Sequence, residues 1–307
     1  MQHAMSFDIE DWFHIVGVQE LENISQWEVH SNHSIVERRT RQILQILSRF
    51  NVKATFFILG WIADRYPELV KEIAAAGHEI GTHSYWHRCV YDLTPQEFYE
   101  DLARSIESIS RASGTEVTGF RAPSFSIKPG NEWAMKAMRK LGIKYDASLF
   151  PAKRGNGGYR CVSYPHLFNY GSGEVIPELP MSVVEVGRLN IPFSGGGYVR
   201  FLPESVIRYG FNKFEKKKIP CVTYLHPRDF APECPRVAMN PFKRFKSYTG
   251  LHTTEAKLVM LLEEYEFTTC ENVLKTWFEV EDLAELVLSP KKTPPANKGK
   301  TGQQQMV

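Results

Sequence analysis

Short apolar segments alternate with amphipathic helical segments along most of the chain, and this alternation most constrains the fold. Residues 52–59 (VKATFFIL) form an apolar run of strand length, and residues 35–50 carry an apolar stripe at helical spacing. An earlier strand ends at Asp8, so these segments predict one β-α-β unit. Repetition of such units predicts a parallel sheet or barrel rather than a sandwich.

The alternation continues through the C-terminal part of the chain, with one interruption. It predicts further helices at 67–76, 94–112, 131–141, 203–217, 254–265 and 271–279, and strands that end near 120, 146 and 225. From 151 to 203 the helical period disappears and Gly, Pro and Tyr dominate, which predicts an insertion of loops and hairpins. We therefore predict one α/β domain over 1–285 that contains the 151–203 insertion. Residues 286–307 are rich in Lys, Pro, Gly and Gln, which predicts a disordered tail.

Composition excludes several classes of partner. The net charge is only +2, with no basic block interleaved with aromatic residues, which argues against binding to nucleic acid. Five cysteines at wide, irregular spacing predict reduced structural thiols. No apolar run is long enough for a transmembrane helix, and no signal peptide is visible, so we expect a cytoplasmic location by default. Periplasmic or membrane-peripheral association stays open, and the sequence does not indicate an oligomeric state.

Two histidines at the start of a predicted loop suggest a metal site. His83 and His87 are four residues apart, and on a helical turn this spacing would let both imidazoles reach one divalent ion. His83 follows a short predicted strand, where α/β folds place their ligand-binding loops. The acidic segment Asp8-Ile9-Glu10-Asp11 can supply a carboxylate ligand and a base.

Further polar residues follow the ends of predicted strands. These residues are Asp8, Arg121, Asp146 and His226. Because the carboxyl ends of parallel strands share one face of a barrel, we expect these side chains to converge with the two histidines.

Five short blocks in this order resemble the motifs of the polysaccharide deacetylase family, which shares the chitooligosaccharide-deacetylase homology domain. The blocks are Ser6-Phe7-Asp8, His83-Ser84-Tyr85-Trp86-His87, Arg121-Ala122-Pro123-Ser124, Tyr145-Asp146-Ala147-Ser148 and Leu225-His226-Pro227. The opening Phe-Asp-x-Glu-Asp-Trp-Phe, together with residues 179–182 and 194–203, further resembles an exosortase-associated branch found with exopolysaccharide-export genes.

This resemblance implies both a fold and an activity. The fold would be α/β, a distorted (β/α)7–8 barrel with a β-rich or loop insertion. The activity would be metal-dependent hydrolysis of N-acetyl groups on amino sugars of an exopolysaccharide or its precursor, so the partner would be an N-acetylated polysaccharide or oligosaccharide. The cofactor would be one divalent ion, with zinc favoured by the histidine-rich site and cobalt, nickel or iron compatible with the same ligands.

The resemblance also implies roles for the residues in the blocks. His83 and His87 would bind the metal together with one carboxylate. Asp8 would be the general base, oriented and held ionised by Arg121, and His226 would be the general acid, held by Asp146. The backbone N–H of Ser124, after Pro123, would help to bind the oxyanion.

The acidic segment departs from the family pattern. Ile9 occupies the position of the usual metal-binding aspartate, so the third ligand is either Glu10 or Asp11. Residues i and i+2 of a strand point to the same side, which favours Glu10 beside Asp8. Two other functions stay open: a small-molecule C–N hydrolase of an allantoinase-like branch, and a non-catalytic carbohydrate-binding barrel.

Overall fold

The computed structural model describes residues 1–152, 157–171, 173–187, 189–280 and 287–288. Within these residues, ten strands form one mixed sheet, and two further strands form a separate hairpin. The strands are β1 (His3–Ile9), β2 (Thr55–Ile58), β3 (Glu79–Thr82), β4 (Gly119–Phe120), β5 (Tyr145–Asp146), β6 (His166–Gly171), β7 (Glu174–Glu178), β8 (Val183–Val186), β9 (Leu189–Pro192), β10 (Val222–Leu225), β11 (Phe267–Thr268) and β12 (Val287–Leu288).

The sheet is mostly parallel, as the alternation predicts. Its order is β10-β1-β2-β3-β4-β5-β7-β6-β12, with β11 also paired to β1. Every neighbouring pair from β10 to β7 is parallel, and only β6 runs antiparallel to β7. The predicted α/β class with a parallel sheet is therefore confirmed.

Helices cover the connections between these strands. They are α1 (Trp27–His30), α2 (Val36–Arg49), α3 (Gly60–Arg65), α4 (Pro67–Ala75), α5 (Pro95–Ser113), α6 (Trp133–Lys140), α7 (Gly196–Phe201), α8 (Glu204–Lys216), α9 (Pro241–Tyr248), α10 (Thr254–Glu264) and α11 (Cys270–Val280). The apolar stripe of α2 is buried as predicted, through Val36, Ile43 and Leu47. α9 has no counterpart in the sequence prediction, because its large side chains Phe242 and Phe245 point to solvent and break the amphipathic pattern.

The two ends of the parallel run are joined by side chains of the connecting segment. Val222 N in β10 donates a hydrogen bond to Ser182 Oγ (2.8 Å), and Ser194 Oγ donates to Val222 O (2.7 Å). Gly195 forms an isolated parallel bridge with Tyr224. These contacts, rather than a continuous ladder of described strands, connect β10 to the chain that leaves β7, so the barrel is distorted at this point.

The predicted insertion at 151–203 contains two hairpins, as expected, apart from 153–156, 172 and 188, which lie outside the described residues. It is more than an appendage, because β7 pairs directly with β5 in the main sheet. The predicted tail at 286–307 lies outside the described residues except for β12, which pairs with β6.

Five strands end at the same edge of the sheet. β1, β3, β4, β5 and β10 are parallel, and each has a residue that the sequence marks as functional at or directly after its carboxyl end. Registers such as Asp8 with Phe57 and Phe120 with Asp146 align these ends across the sheet. This edge therefore holds the candidate site.

Candidate active site and metal centre

Glu10, His83 and His87 form a buried cluster at this edge. One ligand atom from each lies within 4.8 Å of the others, and no other such group of three is found among the described residues. One carboxylate and two imidazoles are a donor set that divalent ions such as zinc accept, and three protein ligands leave further coordination positions open. The residues present therefore fit a metal ion.

The His83–His87 segment is a loop after β3, as predicted, and the two imidazoles do not meet on a regular helical turn. Ser84 and His87 both have left-handed backbone angles, with φ of 66° and 53°. The carboxylate of Asp101 on α5 holds the loop, because it accepts hydrogen bonds from Tyr85 N (2.7 Å) and Trp86 N (3.1 Å). The two imidazoles meet through this bent backbone, with their ring centroids 5.1 Å apart.

The tautomer of His83 suits a metal ligand. Its Nδ1 lies 2.8 Å from the carbonyl oxygen of Arg121, which can only accept, so Nδ1 carries the proton. The lone pair is then on Nε2. Burial lowers the pKa of His83 to about 4, which keeps this imidazole neutral. A backbone partner that fixes ring orientation is typical of metal-binding histidines.

Glu10, not Asp11, faces the histidines. Glu10 Oε2 lies 2.7 Å from His87 Nε2, whereas Asp11 turns away and caps the short helix at Trp12–His14. Asp11 Oδ1 accepts hydrogen bonds from Trp12 N (2.8 Å) and Ile35 N (3.2 Å), and Ser34 donates to its other oxygen. The geometry thus places Glu10 in the cluster and leaves Asp11 a structural role.

The charges around Glu10 keep it ionised. Burial alone would raise the Glu10 pKa, but the nearby His87, His226 and Arg228 outweigh burial and lower it well below its usual range. Glu10 Oε1 lies 3.6 Å from His226 Nε2 and 3.9 Å from Arg228 Nε. An ionised carboxylate is the form that binds a metal.

Asp8 is held by Arg121, as the resemblance implies. Arg121 is fully buried and donates from Nη1 to Asp8 Oδ1 and to Ser6 Oγ, both at 2.8 Å. Its Nε donates to Ala147 O (3.2 Å), and its guanidinium lies 4.2 Å from the ring centroid of Phe57. Burial opposes the charge of Arg121, but Asp8 outweighs it and raises the Arg121 pKa. Asp8 Oδ2 remains directed at the site, 3.8 Å from His226 Nε2.

His226 is paired with Asp229, so the partner expected for it, Asp146, is wrong. His226 Nδ1 lies 2.8 Å from Asp229 Oδ2, and the same oxygen accepts from His226 N (2.9 Å). Arg200 Nε lies 2.9 Å from the other oxygen of Asp229. Burial would lower the pKa of His226, but the carboxylates of Asp229, Glu10 and Asp8 outweigh it and raise the pKa.

Asp146 contacts Glu178 and Ser148 rather than His226, because of its position in the sheet. It pairs in register with Glu178 of β7, and Ser148 Oγ donates to Asp146 Oδ1. Burial raises the Asp146 pKa to about 6, and burial beside Asp146 raises the Glu178 pKa well above its usual range, so the folded protein favours the protonated forms of both carboxyl groups. Ser148 Oγ also accepts from Ala122 N (2.8 Å), and this ties Asp146 to the loop after β4. Asp146 thus helps to hold the loop after β4, which carries Pro123 and Ser124, through Ser148.

Pro123 and Ser124 lie in a short turn directly after β4. Ser124 has a left-handed backbone, with φ of 54°, and lines the cavity described below. Its predicted role as a backbone donor to an oxyanion has a suitable position and stays a prediction.

His14 is a residue of the site that the sequence interpretation missed. Its Nδ1 accepts a hydrogen bond from Asp11 N (2.9 Å), so the proton of the neutral ring is on Nε2. Among the described residues, the buried Nε2 has no hydrogen-bond partner, and His14 lines the same cavity as Glu10. This tautomer cannot bind a metal through Nε2, so His14 presents an N–H donor instead.

The cluster opens into a cavity of about 600 Å³. Asp8, Glu10, His83, His87 and His226 line one part of it. The remainder is lined largely by the segment that includes α7 and α9. A carboxylate, an imidazole and a candidate metal site therefore share one accessible cavity, an arrangement that can hydrolyse an amide.

Two family descriptions match most of the chain between them. Residues 31–145 match the family described as polysaccharide deacetylase, and residues 147–275 match a domain of unknown function, DUF3473. The second range supplies His226, Asp229 and Arg200. Asp8 and Glu10 precede the first range.

Curated bacterial proteins show the same similarity. A peptidoglycan-N-acetylglucosamine deacetylase of Bacillus cereus is 32% identical over 164 residues, which cover 49% of this chain and 74% of that protein. A second B. cereus protein of that name is 38% identical over 96 residues, 31% of this chain and 35% of the relative. A Helicobacter pylori peptidoglycan deacetylase is 31% identical over 108 residues, 35% and 36% of the two chains. The chain thus spans about a third of the length of these last two relatives.

Solved structures share the fold at low sequence identity. A Mycobacterium smegmatis protein assigned to the polysaccharide deacetylases superposes with a TM-score of 0.63 at 20% identity, covering 96% of this chain and 94% of that one. The allantoinase Puue superposes with a TM-score of 0.57 at 15% identity, covering 91% and 90%. None of the helices described here combines the length and apolarity needed to cross a membrane.

Proposed function

Because the chain belongs to the polysaccharide deacetylase family, we propose that it is a metal-dependent hydrolase that removes N-acetyl groups from amino sugars of a polysaccharide. The observation that supports this proposal is that Glu10, His83 and His87 lie beside two polar pairs. Asp8 is held by Arg121 and His226 is held by Asp229, and His226 Nε2 lies 3.8 Å from Asp8 Oδ2 and 3.6 Å from Glu10 Oε1.

Glu10, His83 and His87 would hold the ion, which when bound would polarise the acetyl carbonyl and acidify a water molecule. Asp8 would accept the proton of the attacking water at Oδ2, because Arg121 occupies Oδ1. His226 would donate from Nε2 to the departing amine nitrogen, and Asp229 keeps the imidazole protonated and oriented for this step.

The finer features of the activity follow from the donor set and the sequence. Zinc is the ion we propose, since two imidazoles and a carboxylate suit it, although cobalt, nickel and iron take the same ligands. An exopolysaccharide or its precursor is the substrate we propose, on the resemblance of the 194–203 segment. A cytoplasmic location, with periplasmic or membrane-peripheral association as the alternatives, remains a prediction.

The proposal is tested by acetate release from a panel of neutral and acidic N-acetylated oligosaccharides, with the protein loaded in turn with each candidate metal. We expect hydrolysis, reduced by roughly 10²-fold to 10⁴-fold in His226→Ala because the general acid is lost. His252→Ala is the matched control, since His252 is exposed and does not line the cavity. Allantoin is assayed in parallel. Metal-loaded protein that releases no acetate from any of these sugars would overturn the proposal.

A further inference from the structure

Charge is separated along the cavity. Its acidic lining residues are Asp8 and Glu10, both at the metal end. Its basic lining residues are Arg200, Arg228, Lys243 and Lys246, and the two lysines belong to α9 at the other end. Asp229 neutralises Arg200, and Arg228 is directed towards Glu10. Lys243 and Lys246 form no ion pair with Asp8 or Glu10, and the acidic residue that acts on Lys243 is Glu22, which lies outside the cavity lining.

The ammonium groups of these lysines have donors to spare. Lys243 Nζ donates one hydrogen bond, to Val16 O (2.5 Å), and an ammonium has three N–H groups. Lys246 Nζ lies 4.5 Å from the ring centroid of Phe242. Neither lysine forms an ion pair with a carboxylate of the described residues within 4.0 Å, and α9 itself carries no acidic residue. Two like charges at one end of a cavity repel each other, and a bound anion would relieve this repulsion.

Aromatic side chains line the same end. Tyr198, Phe201 and Phe242 border the cavity near the lysines, and 69% of the surface of Phe242 is exposed. An exposed aromatic side chain with one apolar face is suited to packing against the face of a sugar ring. This end therefore combines a surface for a sugar with cations for an acidic substituent.

We propose that the cavity binds a glycan that carries an acidic group, a carboxylate or a phosphate, beside the sugar whose N-acetyl group lies at the metal end. Lys243 and Lys246 recognise the acidic group. This inference rests on the proposed function for the orientation of the glycan. The range that matches the domain of unknown function thus supplies the element that selects the substrate.

An anionic membrane surface is less well supported. A membrane would contact the outward side of α9, where Arg244 and Phe245 do not line the cavity. Lys243 and Lys246 instead line the cavity that also contains Glu10 and the histidines. Arg244 therefore provides a matched control on the same helix, with the same charge but outside the cavity.

The test measures equilibrium binding by calorimetry, so that it does not depend on catalysis. The ligands are a tetrasaccharide of alternating glucuronate and N-acetylglucosamine, its carboxyl methyl ester, N-acetylated chitotetraose, N-acetylated chitobiose, and the 1-phosphate of this N-acetylated chitobiose. We expect the acidic tetrasaccharide to bind roughly fivefold to tenfold more tightly than its ester, the range expected for two partly exposed ion pairs. Lys243→Gln/Lys246→Gln should abolish this ratio, and Arg244→Gln should preserve it.

The outcomes separate the two proposals and the two sources of charge. Preference for chitobiose 1-phosphate over chitobiose, without preference for the glucuronate ligand, would assign the acidic group to a phosphate. Equal binding of acid and ester together with equal binding of phosphorylated and plain chitobiose would overturn the inference. So would an equal loss in Arg244→Gln, or binding only to anionic vesicles. Preferential binding of an acidic ligand without any acetate release would support the inference while contradicting the proposed function.

Discussion

His226 Nδ1 lies 2.8 Å from Asp229 Oδ2, and both side chains are held by a turn of four residues that begins at Pro227. Arg200 completes the arrangement from α7, with its Nε 2.9 Å from Asp229 Oδ1. Arg200 also donates to the carbonyl oxygens of Lys246 (2.6 Å) and Thr249 (2.7 Å) at the end of α9. The proposed general acid is thus connected, through the ion pair of Asp229 with Arg200 and the hydrogen bonds of Arg200, to the helix that forms the cationic end of the cavity.

Asp229→Asn should move the pH dependence of the reaction. The Asp229 carboxylate helps to raise the His226 pKa, so the protonated acid persists to higher pH. Activity is lost as pH rises through that pKa. Removal of the charge should therefore shift the basic limb of the kcat/KM profile to lower pH, with the acid limb little changed. Asp92→Asn, at an exposed position, is the control. A basic limb that stays in place would contradict the assigned role of Asp229.

Glu10→Gln and Asp11→Asn should show which of these two carboxylates binds the metal ion. Glu10→Gln removes an ionised donor from the cluster, so metal affinity should fall by at least about tenfold. Asp11→Asn keeps an acceptor for Trp12 N and Ile35 N, so metal content should be retained. The measurement is metal per protein after dialysis against a graded chelator. Loss of metal in Asp11→Asn, with retention in Glu10→Gln, would show that Asp11 is the ligand.

Much of the site could be predicted because it depends on local rules. Parallel strands bring their carboxyl ends together. Asp8 lies near the end of β1, and His83, Arg121 and His226 directly follow strands. The two-residue period of a strand places Glu10 on the same side as Asp8. These inferences need only the strand pattern and the hydrophobic periodicity.

The features of the site that the sequence did not predict depend on contacts between distant segments, which hydrophobic periodicity does not determine. The bend of the loop that joins His83 and His87 depends on Asp101 in α5. Asp146 lies beside Glu178 rather than His226, because β7 of the 151–203 segment pairs with β5. Asp229 did have a local signal, since an acid three residues after His226 in a turn that starts with proline can return to its backbone N–H.

His14→Ala should destabilise the fold more than His14→Asn. His14 Nδ1 accepts from the buried Asp11 N, and alanine would leave that donor unsatisfied at a cost of about 1 to 3 kcal/mol. Asparagine offers an oxygen near the position of Nδ1 while losing similar packing against Trp27. The difference in the free energy of unfolding between the two variants, measured in urea, isolates the hydrogen bond. Equal destabilisation of both variants would show that ring packing alone determines the effect.

Asp146→Asn should change how stability depends on pH. Burial beside Glu178 raises the Asp146 pKa from 3.8 to about 6, so the folded protein binds this proton more tightly than the unfolded chain. The stability that this proton contributes is fully present below pH 3.8 and is lost as pH rises through 6. Asparagine carries no titrating proton, so the variant has no such loss.

The unfolding free energy of Asp146→Asn relative to wild type should therefore rise between pH 4 and pH 6 and then level off, as measured in urea at several pH values. In Asp92→Asn the same difference should stay flat, because Asp92 is exposed. A difference for Asp146→Asn that is flat or falls over this window would mean that the folded protein does not bind the Asp146 proton more tightly than the unfolded chain does.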